Sequence, residues 1–250
     1  MFRNLFFAAL VAALCAGLAT SAFQAWRVTP LIFAAESFEG SGETVPHAHS
    51  EGTPEHSHDE VAVTEAHAHG DDEWMPQDGF ERTAYTVFAN ILMAAGYALI
   101  IGAVSVFFNL PITFANGLYW GVAGFAAFTL APALGLPPGM PGMPVADTLA
   151  RQIWWFTAAI GTGAAFVLVA KFRAPWALAL AVALVLLPHL IAAPQAPDAP
   201  TGVPPRMTAE FVAAVIFNGA LFWVVLGLVF GRMADVLAAR PATIPNGAKA

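Results

Sequence analysis

Apolar residues occur in six long runs, each separated from the next by a polar, proline-rich or glycine-rich stretch. A helix needs about 20 mostly apolar residues to cross the ~30 Å hydrocarbon core of a bilayer. The runs reach or approach that length, so the pattern predicts an all-α integral membrane bundle of about six transmembrane helices. The predicted helices are Leu5–Trp26, Ala84–Phe108, Ile112–Leu134, Gln152–Ala170, Pro175–Ala193 and Ala209–Phe230. Gly117-x-x-x-Gly121 and Gly227-x-x-x-Gly231 predict close contacts between helices.

The composition supports a membrane protein and excludes several other classes. Hydrophobic residues make up 58% of the 250 residues and charged residues only 11%, where soluble domains have about 25% charged residues. With 10 Lys and Arg against 17 Asp and Glu, the chain has no basic face for nucleic acid. It carries no Walker A loop, His-Glu-x-x-His or Gly-x-Ser-x-Gly motif, so we expect neither an enzyme nor an ATP-driven pump on this chain alone.

Acidic residues and histidines are concentrated in one segment between the first two predicted helices. Thirteen of the 17 acidic residues and six of the seven histidines lie within residues 36–81. The histidines form three His-x-His pairs, and neutral imidazoles bind Co, Ni, Cu and Zn. We therefore predict a loop that collects metal and is disordered until metal binds; the alternative is a solvated acidic loop with incidental histidines. The predicted metal ligands of this loop are His47, His49, His56, His58, His67 and His69.

The distribution of basic residues predicts how the chain is oriented. Six Lys and Arg residues fall on the side of the two termini and four on the opposite side, which places both termini in the cytoplasm and the loop outside. The predicted segments are 1–35 for the first helix and its outer end, 36–82 for the loop, 83–235 for a five-helix bundle and 236–250 for a cytoplasmic tail. A cleavable signal peptide ending near Thr20-Ser21-Ala22 is the alternative to a retained first helix.

Several polar side chains are predicted to lie in or beside the membrane, where such groups are costly and often functional. Pro188 should kink the fifth helix and free a carbonyl beside His189. We expect Glu36, Glu39 and His189 to act as further metal ligands, with Asn90, Asn218 and Glu210 as candidate pathway residues. Interfacial anchoring and ordinary interhelical hydrogen bonds are the alternative roles of these side chains.

Five ordered motifs resemble those of one known family, the CbtA family of predicted cobalt transporter subunits. The motifs are Thr29–Glu36 (TPLIFAAE), Glu81–Thr86 (ERTAYT), Leu136–Gly142 (LPPGMPG), Arg151–Trp155 (RQIWW) and Pro188–Gln195 (PHLIAAPQ). The resemblance covers about residues 1–235. It implies a protein of the bacterial inner membrane, often found with cobalamin biosynthesis. It also implies a small single-helix partner, CbtB, that has its own histidine motif.

Residues and resemblance together predict a membrane subunit that imports a divalent transition metal. Co²⁺ is the favoured substrate, with Ni²⁺ and Zn²⁺ as alternatives, and we expect no permanently bound cofactor. The loop would concentrate metal outside, and Glu36, Glu39 and His189 would pass it to the bundle. The alternative is a non-transporting metal-binding accessory or sensor protein.

Overall fold

The computed structural model describes residues 2–39, 76–77 and 79–239, and the secondary structure of these residues is entirely helical. The prediction of an all-α membrane bundle is confirmed. The first helix, α1 (Phe2–Phe23), continues through a π-helical turn (Gln24–Val28) into α2 (Thr29–Glu39). The remaining helices are α3 (Phe80–Phe108), α4 (Phe114–Phe125), a second π-helical turn (Ala126–Leu130), α5 (Ala131–Gly135), α6 (Thr148–Phe172), α7 (Pro175–Ile191) and α8 (Pro205–Ala238).

Five helical stretches in this described part are long and apolar enough to cross a membrane, where the sequence predicted about six. They are α1 with α2, α3, α4 with α5, α6, and α8. The remaining predicted run forms α7, which has 17 residues and spans only about 26 Å at 1.5 Å per residue. This helix ends at Ile191 because the next residue, Ala192, has a φ of 69°, which lies outside the helical region.

The first helical stretch ends at Glu39 rather than at Trp26, so the predicted end of the first helix is wrong. Pro30 has no backbone N–H and would normally interrupt an α-helix. The π-helical turn ends two residues before Pro30, and Thr29 N–H donates to Gln24 O, five residues back. The extra residue in this turn allows the chain to remain helical through Pro30. Glu36 therefore lies within a helix and not beyond the end of one.

Small residues set the distances between neighbouring helices. α1 packs against α3 and α8, α8 also packs against α4, and α6 packs against the second π-helical turn and α7. Ala12, Ala16 and Ala98 are fully buried where α1 meets its neighbours. At the contact of α4 with α8, a Cβ atom on Gly117 would lie 2.5 Å from the carbonyl oxygen of Gly227. The predicted close contact of these glycine motifs is confirmed.

The two ends of the bundle are recognisable from contacts between helices. At the first end, Asn4 Nδ2 donates to Leu237 O (2.9 Å), so the start of α1 lies beside the end of α8. Lys171 Nζ donates to Phe108 O (3.1 Å) at the same end. We call this the terminal end. The Glu36 end is the opposite one, where α2, the start of α3 and the start of α8 lie.

Candidate metal pathway

The carboxylate of Glu36 is paired with an arginine on the neighbouring helix. Arg82 Nη2 donates to Glu36 Oε1 at 2.7 Å, and both side chains are about one-third exposed, at 36% and 35% respectively. The guanidinium carbon of Arg82 also lies 4.8 Å from the ring centroid of Phe33, at a distance typical of a cation–π contact. Glu36 therefore joins α2 to α3 at the Glu36 end and carries a cationic partner.

The six loop histidines lie outside the described residues, so their role as metal ligands stays a prediction. Glu39 is the last residue of α2, and its side chain is also outside the described part. The helices on both sides do fix where this segment is attached. It leaves α2 three residues after Glu36 and enters α3 two residues before Arg82. The histidine-rich segment is thus tethered on both sides beside the Glu36–Arg82 pair.

His189 contacts backbone carbonyls through both of its ring nitrogens. Nδ1 lies 2.9 Å from Val185 O, one turn earlier in α7, and Nε2 lies 3.1 Å from Ala131 O at the start of α5. A neutral imidazole has one N–H, so both contacts are hydrogen bonds only when the ring is doubly protonated. A nitrogen that donates to a carbonyl has no lone pair for a metal, so this arrangement favours a hydrogen-bonding role for His189.

The surroundings of His189 are consistent with a packing role. Trp154 Nε1 donates to Pro188 O (3.2 Å), and the indole ring stands edge-on to the imidazole with ring centroids 5.6 Å apart. Pro188 lies within α7 and is buried. Together these contacts hold the end of α7 against α5 and α6. His189 and Glu36 lie at the same end of the bundle, but their hydrogen bonds tie them to different helices.

Asn90 connects α3 to the first π-helical turn. Its Nδ2 donates to Ser21 Oγ (3.0 Å) and to Gln24 Oε1 (2.8 Å). Ser21 Oγ donates in turn to Gly17 O (2.7 Å). This network lies about 18 Å inward from Glu36, because 12 residues at 1.5 Å per residue separate Gln24 from Glu36. The interhelical hydrogen-bond role that the sequence allowed for Asn90 is the one the structure shows.

The other two candidate pathway residues lie on α8. Glu210 accepts a hydrogen bond from Arg206 Nε at 2.9 Å, one turn earlier on the same helix, and the Arg206 side chain is 90% exposed. An exposed pair of this kind contributes little to stability. Asn218 lies two turns further into the bundle. Its Oδ1 has no accessible surface and makes no hydrogen bond to any residue that the structure describes.

The described residues bring no group of three or more His, Cys, Asp or Glu side chains into an arrangement that could hold a metal ion. Glu36 is paired with Arg82, and His189 contacts two carbonyls. A metal role for Glu36, Glu39 and His189 stays a prediction. If Glu36 binds metal through Oε1, the ion must displace Arg82 Nη2 from that oxygen.

The two π-helical turns are features of the bundle that the sequence analysis missed. π-Helical turns are rare in proteins, and those that occur are often at functional sites. In each case a proline is the second residue after the turn, Pro30 in the first and Pro132 in the second. The sequence signal for such a turn was an apolar run that continues through a proline. Proline has no backbone N–H, so a helix that continues through it needs a local change in hydrogen bonding.

Comparison with known proteins identifies the family. The family model described as "Probable cobalt transporter subunit (CbtA)" matches residues 2–235. The chain belongs to the CbtA family. No curated protein and no solved structure matches it. The resemblance carried by the five motifs is thereby confirmed.

Membership of the CbtA family suggests how the described side-chain contacts relate to transport. The CbtA description is that of a transporter subunit, which implies a metal substrate, a partner and a role other than catalysis. The five long apolar helices fit a protein that crosses the membrane several times. The features to explain are therefore an ion pair at one end of the bundle, a partly buried amide network inside it and a histidine-rich segment attached beside the ion pair.

Proposed function

We propose that this CbtA protein is the membrane subunit of an uptake transporter for a divalent transition metal, with Co²⁺ as the substrate. The family description supports cobalt, and the histidine-rich segment supports a borderline divalent metal. Ni²⁺ and Zn²⁺ would bind the same ligand types, so they act as competitors. The protein lies in the bacterial inner membrane and works with a small, single-helix, histidine-containing CbtB-like protein.

The observation that carries this proposal is the Glu36–Arg82 ion pair at the ends of the helices that flank the histidines. In our proposal the segment raises the local concentration of metal directly beside a carboxylate. A divalent cation carries twice the charge of a guanidinium group, so it competes effectively for Glu36. The pair is about one-third exposed, and ion pairs of that exposure are worth only about 0–1 kcal/mol. The attraction that a divalent cation must overcome at Glu36 Oε1 is therefore small.

The orientation that we propose places both termini in the cytoplasm. The hydrogen bond from Asn4 to Leu237 O supports a common side for the beginning of α1 and the end of α8. Arg3 and Arg232 lie at that same end, and basic residues favour the cytoplasmic side of a membrane. The histidine-rich segment, attached at the opposite end, then faces the outside, where a collector of scarce metal is needed.

Two substitutions with opposite expected effects test this function. Uptake of radioactive Co²⁺ is measured in vesicles that contain the protein with its small partner. Glu36→Gln removes the carboxylate and should lower uptake about tenfold at limiting Co²⁺, the equivalent of about 1.4 kcal/mol of lost attraction. Arg82→Gln removes the competing cation and should raise uptake at the same concentration.

The matched control is Glu81→Gln, because it removes a carboxylate from the residue next to Arg82. Within the described part of the chain, the Glu81 carboxylate accepts a hydrogen bond only from the backbone N–H of Gln77. This variant should transport like the unmodified protein. Equal losses from Glu36→Gln and Arg82→Gln, with unchanged protein abundance, would contradict metal exchange at Glu36 and assign the pair a structural role. Binding of Co²⁺ without any uptake would instead favour a non-transporting accessory or sensor.

A further inference from the structure

Two buried oxygen atoms, one on α1 and one on α8, make no hydrogen bond within the part of the chain that the structure describes. Thr20 Oγ1 and Asn218 Oδ1 have no accessible surface, and neither bonds to any residue in the described ranges. The whole Thr20 residue is only 5% exposed. Leaving a buried polar atom unsatisfied costs about 1–3 kcal/mol, and natural structures avoid it. Two such atoms on adjacent helices point to a ligand that binds oxygen.

The register of α1 and α8 places these two atoms at the same depth. The helices run antiparallel, and the rings of Phe23 and Phe217 lie with centroids 5.1 Å apart. Thr20 is three residues from Phe23 and Asn218 is one residue from Phe217, both toward the terminal end. At 1.5 Å per residue the two positions differ by about 3 Å along the helix axis.

Two further neutral oxygen atoms lie close to Thr20 along the same helical stretch. Ser21 follows Thr20, and Gln24 lies one turn later on the face of Thr20. Both oxygens accept a hydrogen bond from Asn90 Nδ2 of α3, at 3.0 and 2.8 Å, and each keeps a lone pair for a further contact. The first π-helical turn begins at Gln24, and irregular helical turns that line a membrane cavity present backbone carbonyls to ions in other transporters. Hydroxyl and amide oxygens of the first helical stretch and of α8 thus lie within about 6 Å of one another along the helix axis.

The chemistry of these donors selects the ligand. Each donor is uncharged, and neither a carboxylate nor an imidazole belongs to the set, so it lacks the ligands that favour Co²⁺. Uncharged oxygen ligands suit a hard monovalent cation, because one positive charge needs less compensation than two. We propose that the oxygens of Thr20, Ser21, Gln24 and Asn218 form a binding site for Na⁺, with the Asn90 amide of α3 orienting Ser21 and Gln24.

This site would supply the driving force for transport, and in that respect it rests on the proposed function. Sodium that enters down its gradient through the contacts of α1 with α3 and α8 would be coupled to metal that enters at Glu36. The coupling route is short, because Gln24 and Glu36 belong to the same continuous helical stretch. Binding of Na⁺ itself does not require that the metal be cobalt or that transport occur.

The test is the thermal stability of the full-length protein in detergent with NaCl, KCl or choline chloride at constant ionic strength. A ligand that binds only the folded state stabilises it in proportion to the logarithm of its concentration. We expect Na⁺ to raise the melting temperature by about 3–5 °C for each tenfold increase above its dissociation constant, given the size of the chain. K⁺ and choline should have a smaller effect.

Thr20→Val and Asn218→Leu should abolish the sodium-dependent rise. In choline chloride both variants should be at least as stable as the unmodified protein, because an unsatisfied buried oxygen has been removed. Thr162→Val is the matched control. Thr162 Oγ1 is equally buried and makes no bond to a described residue, but it lies on α6, which contributes none of the proposed sodium ligands. This variant should keep the full sodium response.

The possible outcomes separate the site from the function. If NaCl and choline chloride stabilise equally, or if Thr20→Val and Asn218→Leu keep the sodium response, the oxygens hold water and the sodium site is wrong. If the sodium response is lost as expected but vesicles take up no Co²⁺, the sodium site stands and the proposed function fails. If uptake occurs equally with and without a sodium gradient, the site does not drive transport.

Discussion

The contact between α4 and α8 allows a quantitative prediction about a single methyl group. Gly117 faces the α8 backbone, where an added Cβ would lie 2.5 Å from Gly227 O, 3.1 Å from Gly227 C and 3.4 Å from the Cα of Leu228. All three neighbours are backbone atoms, so no side chain can rotate away. Gly117→Ala therefore requires the two helices to separate.

The size of the effect follows from these distances. A carbon atom and a carbonyl oxygen need about 3.3 Å between them even in a close contact, so the helices must move apart by roughly 0.8 Å. Overpacking of this kind costs about 1–3 kcal/mol. The substitution gains roughly 0.5–1 kcal/mol from the better helix propensity of alanine. We expect Gly117→Ala to lower the free energy of unfolding by about 0–2.5 kcal/mol overall, and by about 1–3 kcal/mol relative to an alanine substitution that meets no neighbour.

Unfolding in mixed micelles, followed by circular dichroism as the fraction of denaturing detergent rises, measures this free energy. Gly96→Ala is the control, since a Cβ atom on Gly96 in α3 would meet nothing within 4 Å. It should match or exceed the stability of the unmodified protein. If Gly117→Ala is as stable as Gly96→Ala, the helices do not approach as closely as described and the reasoning is refuted.

The remaining predictions concern the loop, the topology and α7. Replacing all the loop histidines with alanine should reduce uptake at scarce metal and matter little at saturating metal; complete loss at saturation would make the loop part of the pathway. Cysteines introduced at Ser50 and Asn246, with Cys15 replaced, should be labelled from outside and inside respectively, and labelling from one side would contradict the proposed orientation. Trp154→Phe removes the donor to Pro188 O and should lower the unfolding free energy by about 1 kcal/mol, measured by the same detergent titration. The histidines to be replaced are His47, His49, His56, His58, His67 and His69.

Hydrophobic runs predicted the existence of every helix but not all of their ends. Length and apolarity identify a membrane helix because lipid satisfies no backbone hydrogen bond, so an apolar run must be helical. The first helix was predicted to end at Trp26 because Arg27 and Pro30 interrupt the apolar pattern. The helix in fact continues to Glu39. What continues it is a local change in backbone hydrogen bonding, which hydropathy does not report.

The glycine motifs show where a sequence pattern does carry tertiary information. Gly117 and Gly121 could be assigned to a close contact because small residues four apart form a flat strip on one helix face. Their partners, Gly227 and the backbone at Trp223, lie on α8. The sequence did not predict that the two motifs pack against each other. The spacing within a motif identifies a contact face but not the helix that it contacts.

The candidate site was harder to predict because the hydropathy of a membrane helix does not show which neighbouring helices it contacts. In a soluble helix the polar face points to water and the apolar face to the core. On α7, by contrast, Leu178, Leu186 and Leu190 are exposed where lipid would lie, so hydropathy does not separate buried from outward positions. The sequence could therefore place Glu36 and His189 at the same end of the bundle, but it could not say which helix each of them faces. Their hydrogen bonds to α3 and α5 answer that question: Glu36 is paired with an arginine of α3 and His189 with a carbonyl of α5, rather than with each other.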